Sequence, residues 1–202
     1  MTARDTRLRY GNVAMTLHWI IAALLIINLG LGLSMASLPR TAPNLGLIVM
    51  VHKSTGLTIL VLSVLRLVWR LMNPWPPLPQ NLSPALRALA RTTHVLFYVM
   101  IIAIPLTGWA MVSASPRQSP IMWYGLFEWP KIGFLTNLAA DQKRPVTGML
   151  AETHEILAFL TIALIVLHVA GALYHHFIHR DQVLKRMVPG TKVAGDIGQA
   201  GG

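Results

Sequence analysis

The sequence predicts an all-α integral membrane protein, a four-helix transmembrane bundle. Three observations carry that prediction. Of 202 residues 54% are hydrophobic and only 12% charged, where a soluble domain averages about 25% charged. Four apolar stretches each run to about 20 residues or slightly more, the length that crosses a hydrocarbon core about 30 Å thick. The segments between them are turn-like, proline-rich or aromatic-rich, as connections at a membrane surface are.

The elements follow in order. Residues 15–38 form the first expected crossing, with Leu17-His18-Trp19 near its start and only Asn28 and Ser34 as polar interruptions. Pro39 to Pro43 reads as a short turn. The second crossing, 46–70, holds His52, Lys53 and Gly56 early and Arg66 and Arg70 at its end. Pro74, Pro76, Pro77, Pro79 and Pro84 follow, and a helix does not continue through such a run because proline lacks the donor and clashes with the preceding turn. The third crossing, 93–113, starts at His94 and contains Pro105. Residues 116–146 read as one long interfacial connection with a single short helix at most. The fourth crossing, 152–177, carries His154 and His168 at the two ends of the apolar run Ile156 to Leu167. One domain, 1–190, is expected, then a disordered Gly-rich tail, 191–202.

Bulk properties exclude several classes. Without cysteine there are no disulfides, no thiolate-held clusters and no covalent haem attachment. The net charge of +10 fits membrane topology better than nucleic-acid binding, which needs a basic patch on a soluble fold. Arg4, Arg7, Arg9, Arg66, Arg70, Arg87, Arg91, Arg180, Lys185, Arg186 and Lys192 are 11 of the 17 basic residues and fall on one side. The positive-inside rule then puts both termini in the cytoplasm and the long connection outside, in an inner membrane. The first apolar run reads as a full crossing, not a cleavable leader.

The histidines carry the chemistry. His154 and His168 are 14 residues apart, about 21 Å of helix rise and within about 40° of one direction. One helix thus offers an imidazole near each membrane face, both aimed at the bundle interior, where ionisable groups are costly and read as functional. By depth, His52 is level with His154 and His18 with His168. Two such pairs suit two metalloporphyrins in the bundle core, each gripped by two neutral imidazoles. With no open iron position, that ligation favours electron transfer over oxygen binding. Zinc wants three or four ligands at one place, and a proton relay lacks Asp or Glu in the spans. His94 reads as an interfacial histidine. His175, His176 and His179 face headgroups or solvent, or border a quinone pocket. Ten methionines read as packing.

Cationic side chains have two readings. Arg66 and Arg70 are placed to meet propionates of the cytoplasmic-side haem, and Lys53 and Arg144 those of the other; snorkelling to lipid headgroups is the alternative. Gly30, Gly32, Gly56, Gly108 and Gly171 admit either a flat macrocycle or close helix contacts.

The combination of Leu17-His18-Trp19, His52-Lys53 with Gly56, Arg66-Leu67, Trp69-Arg70, Pro74 to Pro77, His94 with Tyr98, Pro105 and Gly108, His154-Glu155, and His168 through His175-His176-Phe177 to Arg186-Met187-Val188-Pro189 resembles the bacterial cytochrome b561 family. Within it, the chain is similar to the four-helix cytochromes that act as superoxide oxidases, over about Arg9 to Pro189. The resemblance implies two haem b groups with His18, His52, His154 and His168 as axial ligands, and electron flow from an outer-face donor, superoxide, to membrane ubiquinone. Superoxide is an anion, so Lys53, Lys143 and Arg144 are the residues expected to steer it. The alternative is an electron-carrying anchor subunit of a hydrogenase, formate dehydrogenase or thiosulfate reductase.

Overall fold

The computed structural model describes residues 6, 10–73 and 83–191; the arginines at 4, 7 and 9, the prolines at 74–79 and the tail from 192 lie outside the described residues. Four long helices dominate: α1 (Asn12–Ser37), α2 (Leu45–Met72), α3 (Pro84–Ala114) and, after a hairpin β1 (Ile121–Trp123) and β2 (Phe127–Trp129) and a single turn α4 (Gly133–Thr136), α5 (Ala140–Tyr174). A π-helical turn, His175–His179, continues α5. All four are long and apolar enough to cross a membrane. Their bare faces agree with that: Ile26, Leu47, Val166 and Phe159 are all more than half exposed, which only a lipid environment makes favourable.

Local chemistry explains the ends. α3 starts where Ser83 Oγ accepts a hydrogen bond from the Leu86 backbone N–H at 3.3 Å, with Pro84 in the first helical position, where its missing donor costs nothing. The helix therefore begins nine residues ahead of the expected crossing. α5 ends at Arg180, in the left-handed conformation at φ 50°, and the Asp181 N–H bonds back to the His175 carbonyl, closing the last turn.

The connection expected over 116–146 is shorter, because Ala140 to Val146 already belong to α5 despite Pro145. What remains is built around the hairpin. Ile121 pairs Trp129, Met122 pairs Glu128 and Trp123 pairs Phe127. Tyr124 and Gly125 turn the chain with φ 48° and 76°, the positive φ pair a tight hairpin turn requires. Three hydroxyls of α2 pin it down. Ser54 Oγ accepts from the Tyr124 N–H at 2.8 Å, Thr55 Oγ1 meets the Tyr124 hydroxyl at 3.1 Å, and Thr58 Oγ1 accepts from Trp123 Nε1 at 3.2 Å.

The chain divides into two compact units, each drawing a segment from every long helix. One comprises Met1–Ile20, Val64–Tyr98 and Ile162–Gly202; the other comprises Ile21–Ser63 and Val99–Thr161. Met15 is a core residue of the first; Ile59, Leu57, Ile101, Ile104 and Ile121 are core residues of the second. Some buried hydroxyls return their protons to carbonyls four residues back, as Thr161 does to Leu157 at 2.9 Å and Ser113 to Trp109 at 2.8 Å; Ser63 Oγ, also buried, has no such partner among the described residues.

Candidate functional site

Each unit holds a close set of histidines, their rings edge-on to one another. In the unit Ile21–Ser63 and Val99–Thr161, His52 of α2 and His154 of α5 have ring centres 6.2 Å apart at 83°. Both rings are anchored through Nδ1. His52 Nδ1 lies 3.1 Å from the Asn28 carbonyl. His154 Nδ1 lies 2.9 Å from the Ile104 carbonyl and 3.0 Å from Thr107 Oγ1. The Thr107 hydroxyl is itself committed to the same Ile104 carbonyl at 2.7 Å. Carbonyl oxygens only accept, so each ring carries its proton on Nδ1 and presents an unprotonated Nε2.

The two rings line one cleft of about 70 Å³. Its walls include Leu25, Leu57, Ile59, Ile104 and Met111, with Lys53 and Asn28 as polar members. A glycine stands close beside each histidine. A Cβ on Gly108 would stand 3.1 Å from His154 Cε1, and one on Gly32 would stand 3.3 Å from His52 Cε1. Gly56 also lines the cleft.

The other unit holds His18 of α1 and His168 of α5, with ring centres 6.3 Å apart at 68°. Arg66 stands beside them: its Nη1 is 3.0 Å from His18 Nδ1, its Nε reaches the Tyr98 hydroxyl at 3.5 Å, and its guanidinium carbon lies 5.8 Å from the Tyr98 ring centre. Arg70 is half-buried in the same unit. His94, expected as a bland interfacial residue, is instead in the cluster, 5.8 Å from His168 at 72°. Spacing within α3 alone does not reveal that approach.

Two trans imidazoles on one metal set their ring centres roughly 6 Å apart, from a metal–nitrogen bond of about 2 Å on each side and about 1 Å from each nitrogen to its ring centre. Both pairs meet that separation. Each pair would supply two imidazoles to a haem iron. His52 and His154 would fit a haem in both ring separation and free Nε2; His18 and His168 match in separation, with His18 Nδ1 held by Arg66.

Of the steering candidates, Lys53 lines the cleft, whereas Lys143 and Arg144 are not among its lining residues. Arg144 is exposed and Lys143 half-buried on the first turns of α5. Beyond the histidine clusters, His175 Nδ1 pairs with Asp181 Oδ2 at 2.6 Å and stacks on His179 at 5.6 Å, and Trp19 Nε1 donates to the Met187 carbonyl at 2.7 Å. The histidines read as bordering a headgroup region are thus tied into the end of α5. Asn28 and Thr107, which hold the His52 and His154 rings, were not assigned that role in the sequence. Asn28 acts through its backbone, which leaves no residue-type signal. Thr107 had one: a hydroxyl two residues after Pro105 and next to Gly108.

Paired histidines on transmembrane helices, one pair anchored on backbone carbonyls, suit a membrane cytochrome. The signature of the prokaryotic cytochrome b561 family matches residues 9–190, and the chain belongs to that family. It is 34% identical over 195 residues to cytochrome b561 homolog 2 of Escherichia coli K12, covering 93% of this chain and 95% of that one. It is 30% identical over 183 residues to the probable superoxide oxidase CybB of Yersinia pestis, covering 90% and 96%. Against cytochrome b561 homolog 1 of E. coli K12 it is 26% identical over 188 residues. Membership makes the protein a membrane electron-transfer cytochrome whose cofactor is haem b.

Proposed function

We propose that the protein is a di-haem b cytochrome of the inner membrane that oxidises superoxide at its outer face and reduces membrane ubiquinone. The observation that carries this reading is the duplication of a two-imidazole site, at 6.2 Å for His52 with His154 and at 6.3 Å for His18 with His168. In this reading His52 and His154 hold one iron and His18 and His168 the other, and the bound haems supply one-electron redox chemistry. The Asn28, Ile104 and Thr107 oxygens keep His52 and His154 in the ligating tautomer and stop the rings from turning. Arg66 and Arg70 neutralise propionates of the haem at His168. Both termini lie in the cytoplasm and the hairpin outside.

The resemblance to a probable superoxide oxidase supports the donor. Lys53 in the cleft wall gives an anion a favourable end point, and Lys143 and Arg144 add to the attracting field. The balance is complete: two superoxide anions lose one electron each and leave as dioxygen, and one quinone takes two electrons and two protons to become quinol. A single purified chain given enzymatically generated superoxide and a short-chain ubiquinone is expected to form quinol, at a rate that falls as salt shortens the screening length from about 30 Å at 0.01 M to about 3 Å at 1 M. Haem reduction by superoxide without any quinol formed would contradict the acceptor, and no reduction at all would point instead to the anchor-subunit role.

A further inference from the structure

His168 meets two imidazoles. Its ring centre is 6.3 Å from that of His18 and 5.8 Å from that of His94. The two values bracket the roughly 6 Å expected across one metal. His18 on α1 and His94 on α3 therefore stand at equivalent reach of the same partner. Phe97, three residues on from His94, lies edge-on to His168 at 5.2 Å and limits how far the His168 ring can swing.

The second ring nitrogen separates the two rivals. A histidine that binds iron through Nε2 carries its proton on Nδ1 and donates it to a carbonyl or carboxylate. His52 and His154 both have that partner. His94 lies within reach of the Ala90 backbone one turn back. His18 differs. Its Nδ1 lies 3.0 Å from Arg66 Nη1, and a guanidinium only donates. The Nδ1 of His18 therefore accepts, and the proton of the neutral ring sits on Nε2, the atom a metal would use. His18 becomes a ligand only once Arg66 turns away or its own ring flips. His94 needs neither change, and its side chain is exposed and not packed into the core.

We propose that His94 is an alternative axial ligand for the iron held by His168, taking the trans position whenever His18 is withdrawn to Arg66. The inference rests on the reading above that His168 holds a haem iron. Arg66 is the positioning residue of the exchange: bound to His18 it favours His94, and drawn away to a propionate it releases His18.

The test is haem stoichiometry by pyridine haemochrome and spin state by EPR of the ferric, purified full chain. Two haems in the wild type and one in His168→Ala secure the underlying reading; two haems retained in His168→Ala would end both it and the proposal. With that secured, His18→Ala is expected to keep two low-spin haems, His94→Ala likewise, and the double variant to fall to one or to show a high-spin signal. The haem at His52 and His154 reports folding in every variant. His18→Ala falling by itself to one haem, or turning high-spin, overturns the proposal. His18→Asn serves where the alanine variant does not accumulate, and failure of both to hold the second haem counts against His94.

Discussion

Gly108 shows how narrow the tolerance is around a ligand ring. Alanine there would gain up to about 1 kcal/mol of helix propensity. Its Cβ would also press to 3.1 Å on His154 Cε1, and His154 cannot give way without losing the Ile104 carbonyl and Thr107 hydroxyl that hold its Nδ1. Gly108→Val is therefore expected to lower haem content from two towards one per chain, read by pyridine haemochrome, with helicity by circular dichroism unchanged. Thr107→Val removes only one of two partners. Outer-sphere changes of that kind cost metal ligands about 10–100-fold in affinity, so a milder loss is expected, visible as haem transfer to apomyoglobin before haem content drops at equilibrium. Equal loss from Thr107→Val and Gly108→Val would mean the ring is not held as described. At this scale the sequence was legible in residue type and silent in partner. Depth along the predicted crossings paired His52 with His154 and His18 with His168, the pairs whose rings lie about 6 Å apart. Asn28 and Ile104 contribute backbone oxygens, and no side-chain pattern announces a carbonyl.

The elements outside the membrane spans were the hardest to read. The strands are three residues each, too short for an alternation pattern to register, and the turn signal is one glycine after a tyrosine. What makes the hairpin stable is tertiary: Ser54, wholly buried, sits between the Tyr124 N–H and the Met50 and Met122 carbonyls. Ser54→Ala leaves the Tyr124 donor without its partner, at a cost of about 1–3 kcal/mol. Limited proteolysis in detergent is expected to cut that variant within 117–131 faster than wild type, while haem content stays the same. An unchanged cleavage rate would mean the hairpin holds by its aromatic contacts alone. At the other end, Asp181 binds both His175 Nδ1 at 2.6 Å and the Val183 N–H at 2.9 Å. Asp181→Asn should weaken that turn by about 1–2 kcal/mol and lower the thermal midpoint measured in detergent. The start of α3 was legible in hindsight, since Ser83-Pro84 is a cap followed by the residue best suited to the first helical position. The early start of α5 was not, because Pro145 argues locally for a break that the rest of the helix overrides.

For the whole chain, composition and four apolar runs were enough to reach the fold class, because a bilayer leaves few ways to bury a backbone. They were enough also to place one histidine pair in each of the two compact units. Composition did not reach the third imidazole near His168, since His94 sits where an interfacial residue is equally at home. Orientation is a prediction of the same scale: reporters that fluoresce only in the cytoplasm, fused to either terminus, should both be bright, and an enzyme reporter active only outside the membrane should be silent at both. The measurement that bears most directly on the duplicated site is haem content in a set of His→Ala variants judged against one another. Wild type should carry two haem b per chain, His52→Ala and His154→Ala one each, their double variant still one, and His52→Ala with His168→Ala none. A wild type with a single haem, or a His52/His154 double variant that loses both, would contradict two independent sites each closed by a ring from α5.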